Sequence, residues 1–296
     1  MAHIATAELA SAVSNAGGLG IIGAANFEPE WLKEQIRIMR NQTDKPFGVN
    51  VIMISPFIEQ VVEVVLAEKI DIVTTGAGNP GVYMSRFNEA GIKVMPLVAS
   101  VALARRLERS GAAAVVAEGT ESGGHIGETT TMALVPQVVD SVNIPVIAAG
   151  GIADGRGLVA SLALGAQAVQ MGTRFVCSEE CIAHHNYKEK IIKAGDRSTM
   201  VTGQALGHPI RSIMNRLAKQ FVEMEKSGAS IEEMEAFGRG RVQMGLINGD
   251  SDEGTLLAGQ ISGLINEIKP VKAIIDDIVS EAEAIIANLE NYHKKD

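Results

Sequence analysis

Residues 145–174 read PVIAAGGIADGRGLVASLALGAQAVQMGTR. The segment opens with five apolar residues and no polar alternation, the pattern of a strand buried on both faces. Gly150 and Gly151 break that run, and Asp154 stands where a helix N-cap belongs. Residues 154–164 carry helical period, and a second apolar run at 168–171 ends in Gly172. Strand, glycine turn, helix, strand and glycine turn together make one βαβ unit, which requires a parallel sheet.

Working outward from this unit, the same alternation fills the first half of the chain. Continuous apolar runs lie at 19–23, 47–51, 70–74, 93–98 and 114–118. Helical segments at 28–41, 56–68, 100–110 and 130–141 separate them. Pro29 and Pro56 suit first helical turns, and Ser100 and Thr130 suit N-caps. Strands start about 20–30 residues apart, one βα unit each. Polar and glycine-rich chemistry follows nearly every strand, whereas an open doubly wound sheet would concentrate it at one switch point. The fold class expected is therefore α/β, a (β/α)8 TIM-type barrel.

Only seven strands are visible where a closed barrel needs eight. The chain opens with a helix at 5–16 that leads into the run at 19–23. A first strand missing upstream of Met1 is expected, the alternative being a barrel that closes in an unusual way. Beyond Arg174 the alternation stops. Residues 1–177 read as the barrel core, 178–250 as a helical insertion over the mouth, and 251–296 as C-terminal helices completing the outer layer. Within these the helical segments expected are 210–226, 231–247, 254–267 and 271–291.

Composition narrows the function. The 296 residues are 46% hydrophobic, enough for a large core, and the net charge of −9 argues against a nucleic-acid partner. No apolar stretch reaches the length of about 18 residues that a membrane span needs. The N-terminus lacks a basic region and carries Glu8 where a signal peptide would be apolar. Cys177 and Cys181 are too few for a disulfide framework. With only His184 and His185 nearby they read as buried thiols, and no metal is expected. A cytoplasmic enzyme is the expectation.

Two glycine-rich stretches, 148–155 and 170–175, follow the last two strands. Glycine lets backbone approach a phosphate, and free N–H groups at a helix start bind anions. The loops after strands seven and eight are where barrels place phosphate sites. Gly150, Gly151, Gln170, Met171, Gly172 and Thr173 are the candidates. A third stretch, 117–127, holds His125 among Gly123, Gly124 and Gly127 at the end of the strand at 114–118. Histidine exchanges protons near neutral pH, and the glycines leave its ring accessible. Glu118 and Glu121 are candidate hydrogen-bond acceptors behind it. Asn50 ends its strand with an amide suited to a flat heterocycle, Thr75 opens the next rim loop, and Ser100 serves as an N-cap first and a site residue second. Residues 205–222 carry Arg211, Arg216 and Lys219 without an acid, a basic helix face that could receive an acidic carrier or a phosphate.

These motifs, in this order, closely resemble the FMN-dependent type II enoyl-acyl carrier protein reductases, within the wider nitronate monooxygenase-like flavoproteins. The matching stretches are 15–23, 46–50, 74–80, 118–127, 148–154, 170–175 and 258–260, so the resemblance spans nearly the whole chain. It implies that NADH or NADPH reduces FMN, which passes hydride to the β-carbon of a trans-2-enoyl thioester on acyl carrier protein. His125 would be the catalytic histidine. Asn50, Thr75, Glu118, Gly124, Gly150, Gly151 and residues 170–173 would bind FMN, while Ser100 and Arg211 would meet the substrate. The resemblance also implies a homodimer. A nitronate monooxygenase is the rival, together with a paralogue that lacks activity. The loops at 75–80 and 124–127 look like the reductase branch, since the oxygenase branch carries an aromatic loop after the Thr74 strand and an Arg after the histidine. The resemblance further implies a first strand ending in a loop against the flavin, and this sequence starts at the Met of that loop.

Overall fold

The computed structural model describes residues 1 and 3–292, so the last four residues of the 251–296 segment lie outside the description. In chain order the elements begin with α1 (Ala7–Asn15), β1 (Gly20–Gly23), α2 (Pro29–Gln42), β2 (Phe47–Ile52), α3 (Ile58–Ala67) and β3 (Ile72–Gly76). They continue with α4 (Met84–Glu89), β4 (Lys93–Val98), α5 (Val101–Arg109), β5 (Val115–Glu118), β6 (Gly124–His125) and α6 (Thr131–Val139). Next come β7 (Val146–Ala149), α7 (Gly155–Ala163), β8 (Ala168–Gln170), α8 (Thr173–Val176), α9 (His185–Ile192), β9 (Thr199–Thr202) and β10 (Ile210–Ile213). α10 (Arg216–Ser227), α11 (Ile231–Gly238), α12 (Arg241–Leu246) and α13 (Val271–Tyr292) complete the order.

Seven strands form one parallel sheet in the order β1-β2-β3-β4-β5-β7-β8, curled into an incomplete TIM-type barrel. Sequential order with right-handed βα crossovers is what a barrel requires and an open sheet with a switch point lacks. All seven expected strands are present. Among the described residues β1 and β8 do not pair with each other. The chain start occupies that seam: Ala5 O accepts from Gly23 N at 2.9 Å, and Met1 O accepts from Ala5 N at 3.1 Å. α13 spans the same seam on the outside, packing on both α7 and α1. Gly155 permits this approach, because a Cβ there would lie 2.5 Å from Ala282 N.

The helices bury one face each. On α2, Leu32, Ile36 and Met39 are at most 1% exposed, at the i, i+4, i+7 spacing of a core stripe. Each such side chain contributes about 1.5–3 kcal/mol of transfer free energy. One apolar cluster lies between the sheet and its helices. A second joins Ile4 and Leu9 to Tyr187, Ile213, Leu246 and Val271, so residues beyond 178 share a core with both ends of the chain.

The structure corrects the expectations beyond residue 178. The stretch 210–226 is not one helix: β10 ends at Ile213, and α10 starts behind Asn215, whose side chain accepts from Ala218 N at 2.9 Å. The stretch 231–247 is two helices, separated where Gly240 takes a left-handed φ of 75°. The stretch 254–267 holds only a 3-10 turn at Gln260–Leu264. Gly254 packs against the Gly245 backbone at a distance no longer side chain tolerates, which favours close approach over helix. β6, β9 and β10 form an unanticipated antiparallel sheet in the order β6-β10-β9.

Candidate active site

Ten of the thirteen candidate residues sit at the C-terminal ends of the parallel strands or just past them. Asn50 lies on β2 and Thr75 on β3, Ser100 follows β4, Glu118 ends β5, and Gln170 ends β8. The register pairs Ala149 with Gln170, so Gly150–Gly151 and Met171–Thr173 leave the sheet side by side. His125, Gly124 and Arg211 come from the antiparallel ribbon instead, where Ile210 pairs with His125 and Arg211 with Gly124.

The paired glycine turns suit an anion, with the start of α8 at Gly172–Thr173 open as expected and the start of α7 closed. At the start of α7 the Gly155 N–H donates to Glu281 Oε2 at 2.7 Å, and Gly157 N donates to Asp154 Oδ1 at 3.2 Å. Carboxylates therefore already satisfy that helix end. The open donors are in the turns: among the described residues, the N–H groups of Gly150, Gly151, Gly172 and Thr173 have no protein acceptor. Gly150 and Gly151 reach this geometry at φ of 88° and 72°. A β-carbon on Gly150 would stand 2.8 Å from Gly119 O, so that glycine is required by packing as well. Asn50 Nδ2 donates to Thr74 Oγ1 at 2.9 Å, which fixes the amide and leaves its oxygen as an acceptor. Unpartnered donors, an oriented amide and a side-by-side glycine pair fit a phosphorylated flat cofactor such as FMN.

Glu118 accepts a hydrogen bond from Ser122 Oγ. Burial pushes its carboxyl above the usual glutamate range, opposed by the Ser122 bond and by the Met1 amino group. Ser100 is exposed, and its hydroxyl accepts from Leu103 N at 3.3 Å, confirming its cap geometry. Thr75 is 1% exposed and belongs to the sheet interior.

The loop carrying His125 is held from three sides. Glu121 accepts from Thr131 N with both oxygens, at 3.0 and 2.9 Å, and the Thr131 hydroxyl lies 2.9 Å from both Glu121 Oε2 and Gly150 O. Gln260 N donates to Glu121 O at 2.9 Å, while Gly259 N donates to Thr173 Oγ1 at 3.0 Å. Residues 258–260 thus fasten the histidine loop to the last glycine turn. Gly123 must be glycine here, since a Cβ would meet the Ala258 backbone at 2.6 Å. The third tether is Arg211, 7% exposed, whose Nε donates to Thr120 O at 3.0 Å and whose guanidinium meets Thr199 Oγ1 at 3.3 Å. Burial lowers its pKa and nearby Glu121 raises it.

His125 stands exposed at the edge of this ribbon. Partial desolvation of the ring, together with nearby His208, holds its pKa below the ordinary histidine value. The ring is therefore neutral at neutral pH, a hydrogen-bond donor through one nitrogen and an acceptor through the other. The basic helix face expected at 205–222 does not exist. Arg211 points into the protein from β10, and Arg216 pairs with Glu253. Sequence reasoning passed over Thr131, which begins α6 beside the more conventional cap Thr130. Cys177 and Cys181 are buried and free, with the Cys177 thiol pushed up to about 12 by burial.

Comparison with known proteins agrees with this geometry. The structure of FabK from Thermotoga maritima is 53% identical, covers 99% of this chain and 93% of its own, and superposes with a TM-score of 0.96. A 5-hydroxy-7a-methyl-1-oxo-octahydroindene-4-carboxyl-CoA dehydrogenase of Mycobacterium tuberculosis is 30% identical over 95% of this chain and 91% of its own length. A probable nitronate monooxygenase of Staphylococcus saprophyticus is 33% identical over 97% of this chain and 94% of its own. The family model for nitronate monooxygenase matches residues 1–58 and 53–281. With that span matched, the chain belongs to the nitronate monooxygenase family.

Proposed function

We propose that this protein is an FMN-dependent reductase of trans-2-enoyl-acyl carrier protein that draws hydride from NADH or NADPH. One observation carries the reading: 53% identity with FabK, an enoyl-acyl carrier protein reductase of the type the sequence motifs resemble, across 99% of this chain. The carboxyl-CoA relative extends it, because that protein also acts on a thioester.

FMN, when bound, supplies a two-electron carrier that accepts hydride from a nicotinamide and gives it to an activated double bond. The open N–H groups of Gly150, Gly151, Gly172 and Thr173 would hold its phosphate, and Asn50 and Glu118 would meet its ring system. Reduction of an enoyl thioester adds hydride at the β-carbon and a proton at the α-carbon, with negative charge collecting on the carbonyl oxygen in between. Preorganised donors aimed at that oxygen are the largest source of rate. His125, neutral in the free enzyme, is such a donor through its imidazole N–H. Its role in this reading is to orient and polarise the carbonyl, and the lowered pKa makes it a weak candidate for a permanently charged acid. Residues 178–250 cover the mouth of the barrel, and the working form is a cytoplasmic homodimer.

Steady-state turnover tests the proposal. Purified protein carrying flavin should oxidise NADH or NADPH only when a crotonyl thioester is added, leaving nitronate and O2 unconsumed. Oxygen uptake driven by nitronate, with no thioester reduction, would assign the oxygenase reading instead.

A further inference from the structure

We propose that the outward face of α5, with the first turn of α6, is the docking surface for the acidic carrier protein that delivers the thioester. The inference rests on the enoyl-carrier reading above. Arg105, Arg106 and Arg109 are all exposed on α5, and none has an acidic partner among the described residues. The single acid of that helix, Glu108, is engaged by the Asn143 N–H at 2.6 Å. α6 packs beside α5 and contains no ionisable residue within its span, Asp140 standing at its C-terminal end. With Glu108 counted, the arginines keep a net positive charge and none is ion-paired.

This is an exception in a chain of net charge −9. On α2, by contrast, Lys33, Arg37 and Arg40 are matched by Glu30, Glu34 and Glu68. No other helix among the described residues carries three exposed cations without an acidic partner. Uncompensated cations on one face steer an acidic protein by charge, which lysine supplies as well as arginine.

The position fits delivery into the site. α5 starts at Ser100, just past the C-terminal end of β4, on the rim that holds the glycine turns and His125. At 1.5 Å per residue, Arg105 and Arg109 lie about 8 and 14 Å from Ser100 in the direction away from the mouth. Arg105 and Arg106 are thus the nearer pair, and Arg109 closes the helix toward the opposite face of the barrel. Helical side chains lean toward the N-terminus, so Arg105 and Arg106 reach back toward the mouth. Met132, 68% exposed on the first turn of α6, adds an apolar contact at the same end. A folded carrier cannot enter the barrel, so it must dock on the rim and insert only its prosthetic arm.

The test compares R105E/R106E/R109E with a control, R216E/K219E, and with the charge-keeping R105K/R106K/R109K. Each is assayed with crotonyl-carrier protein and with crotonyl N-acetylcysteamine thioester, and melting temperatures confirm folding. Charge reversal on α5 should raise KM for the carrier substrate about tenfold at low salt, while the small thioester changes by less than about twofold. The control and the lysine variant should stay within about twofold of wild type on both. Equal losses on both substrates, or no loss on either, would overturn the docking surface. If wild type reduces neither thioester, the reductase reading fails on its own. Calorimetric titration with holo-carrier protein then still decides the surface: affinity lost only in R105E/R106E/R109E supports it, and an affinity that the reversal leaves unchanged, or that wild type lacks, overturns it.

Discussion

Arg211 offers the sharpest perturbation of the histidine loop. Its guanidinium is 7% exposed and binds Thr120 O at 3.0 Å and Thr199 Oγ1 at 3.3 Å, joining β9, β10 and the loop through a single side chain. Hydrogen bonds to a charged group contribute about 1.5–3 kcal/mol each, and the longer one counts for less. Arg211→Met keeps the apolar stem but removes both, so about 2–4 kcal/mol of stability should be lost. Because β10 pairs directly with His125 through Ile210, the loss should reach catalysis. A misplacement of about 1 Å costs on the order of 100-fold in rate, so kcat on a small thioester should fall about 10- to 100-fold. Arg211→Lys retains the charge and one donor and should lie between. A positioning role has a further signature in the pH profile of kcat/KM. Releasing the ribbon relieves the remaining desolvation of the already exposed His125 ring and its proximity to His208, so its acid limb should move up toward the ordinary value near 6.5. Arg211→Met with wild-type kcat and an unmoved acid limb would refute the tether, whatever its melting temperature.

Other residues make separate predictions. Glu118 has a raised pKa through burial, so its folded form holds a proton more tightly than the unfolded chain does. Its contribution is complete below the ordinary glutamate range and is lost as pH rises through the folded value. Glu118→Gln should therefore raise the melting temperature of flavin-free protein at pH 8 and have little effect at pH 4; an equal shift at both would contradict the burial argument. His125 behaves oppositely: its folded pKa is lowered, so stability should rise with pH across the window between that value and about 6.5. His125→Gln should flatten that slope in urea titrations at several pH values. Gly150→Ala places a Cβ 2.8 Å from Gly119 O at φ 88°, and should cost at least about 2 kcal/mol while weakening flavin binding, read from the fluorescence of released flavin.

The parallel sheet was legible because strands buried on both faces are written as unbroken apolar runs. The run at 145–149 and the strand Val146–Ala149 differ by one residue. The ribbon was not legible for the opposite reason. β6 is only Gly124–His125, and Ile210–Ile213 reads Ile-Arg-Ser-Ile, which lacks strand alternation and places its apolar residues at the i, i+3 spacing of the helix that follows. Reading through that boundary put Arg211, Arg216 and Lys219 on one helix face, when Asn215 marks the helix start. The basic cluster of α5 was present in sequence but unremarkable there. Its meaning appears only when α6 is seen beside it with no charge and the cations of α2 are seen paired. The glycine turns were recognised, but the acid that blocks the α7 N-terminus, Glu281, lies 126 residues from Gly155 and no local pattern reveals it. Thr131 escaped notice because its partners, Glu121 and Gly150, lie across the histidine loop and on the next strand turn, outside any cap spacing.

The central claim is that electrons leave this protein to an enoyl thioester. Its most direct test is a single-turnover experiment: bound flavin is reduced anaerobically, then mixed with crotonyl-carrier protein, and the return of oxidised-flavin absorbance is followed with the yield of butyryl product. Rapid recolouring is expected, with one butyryl thioester formed per flavin. Flavin that stays reduced until O2 is admitted, with no butyryl product, would contradict it.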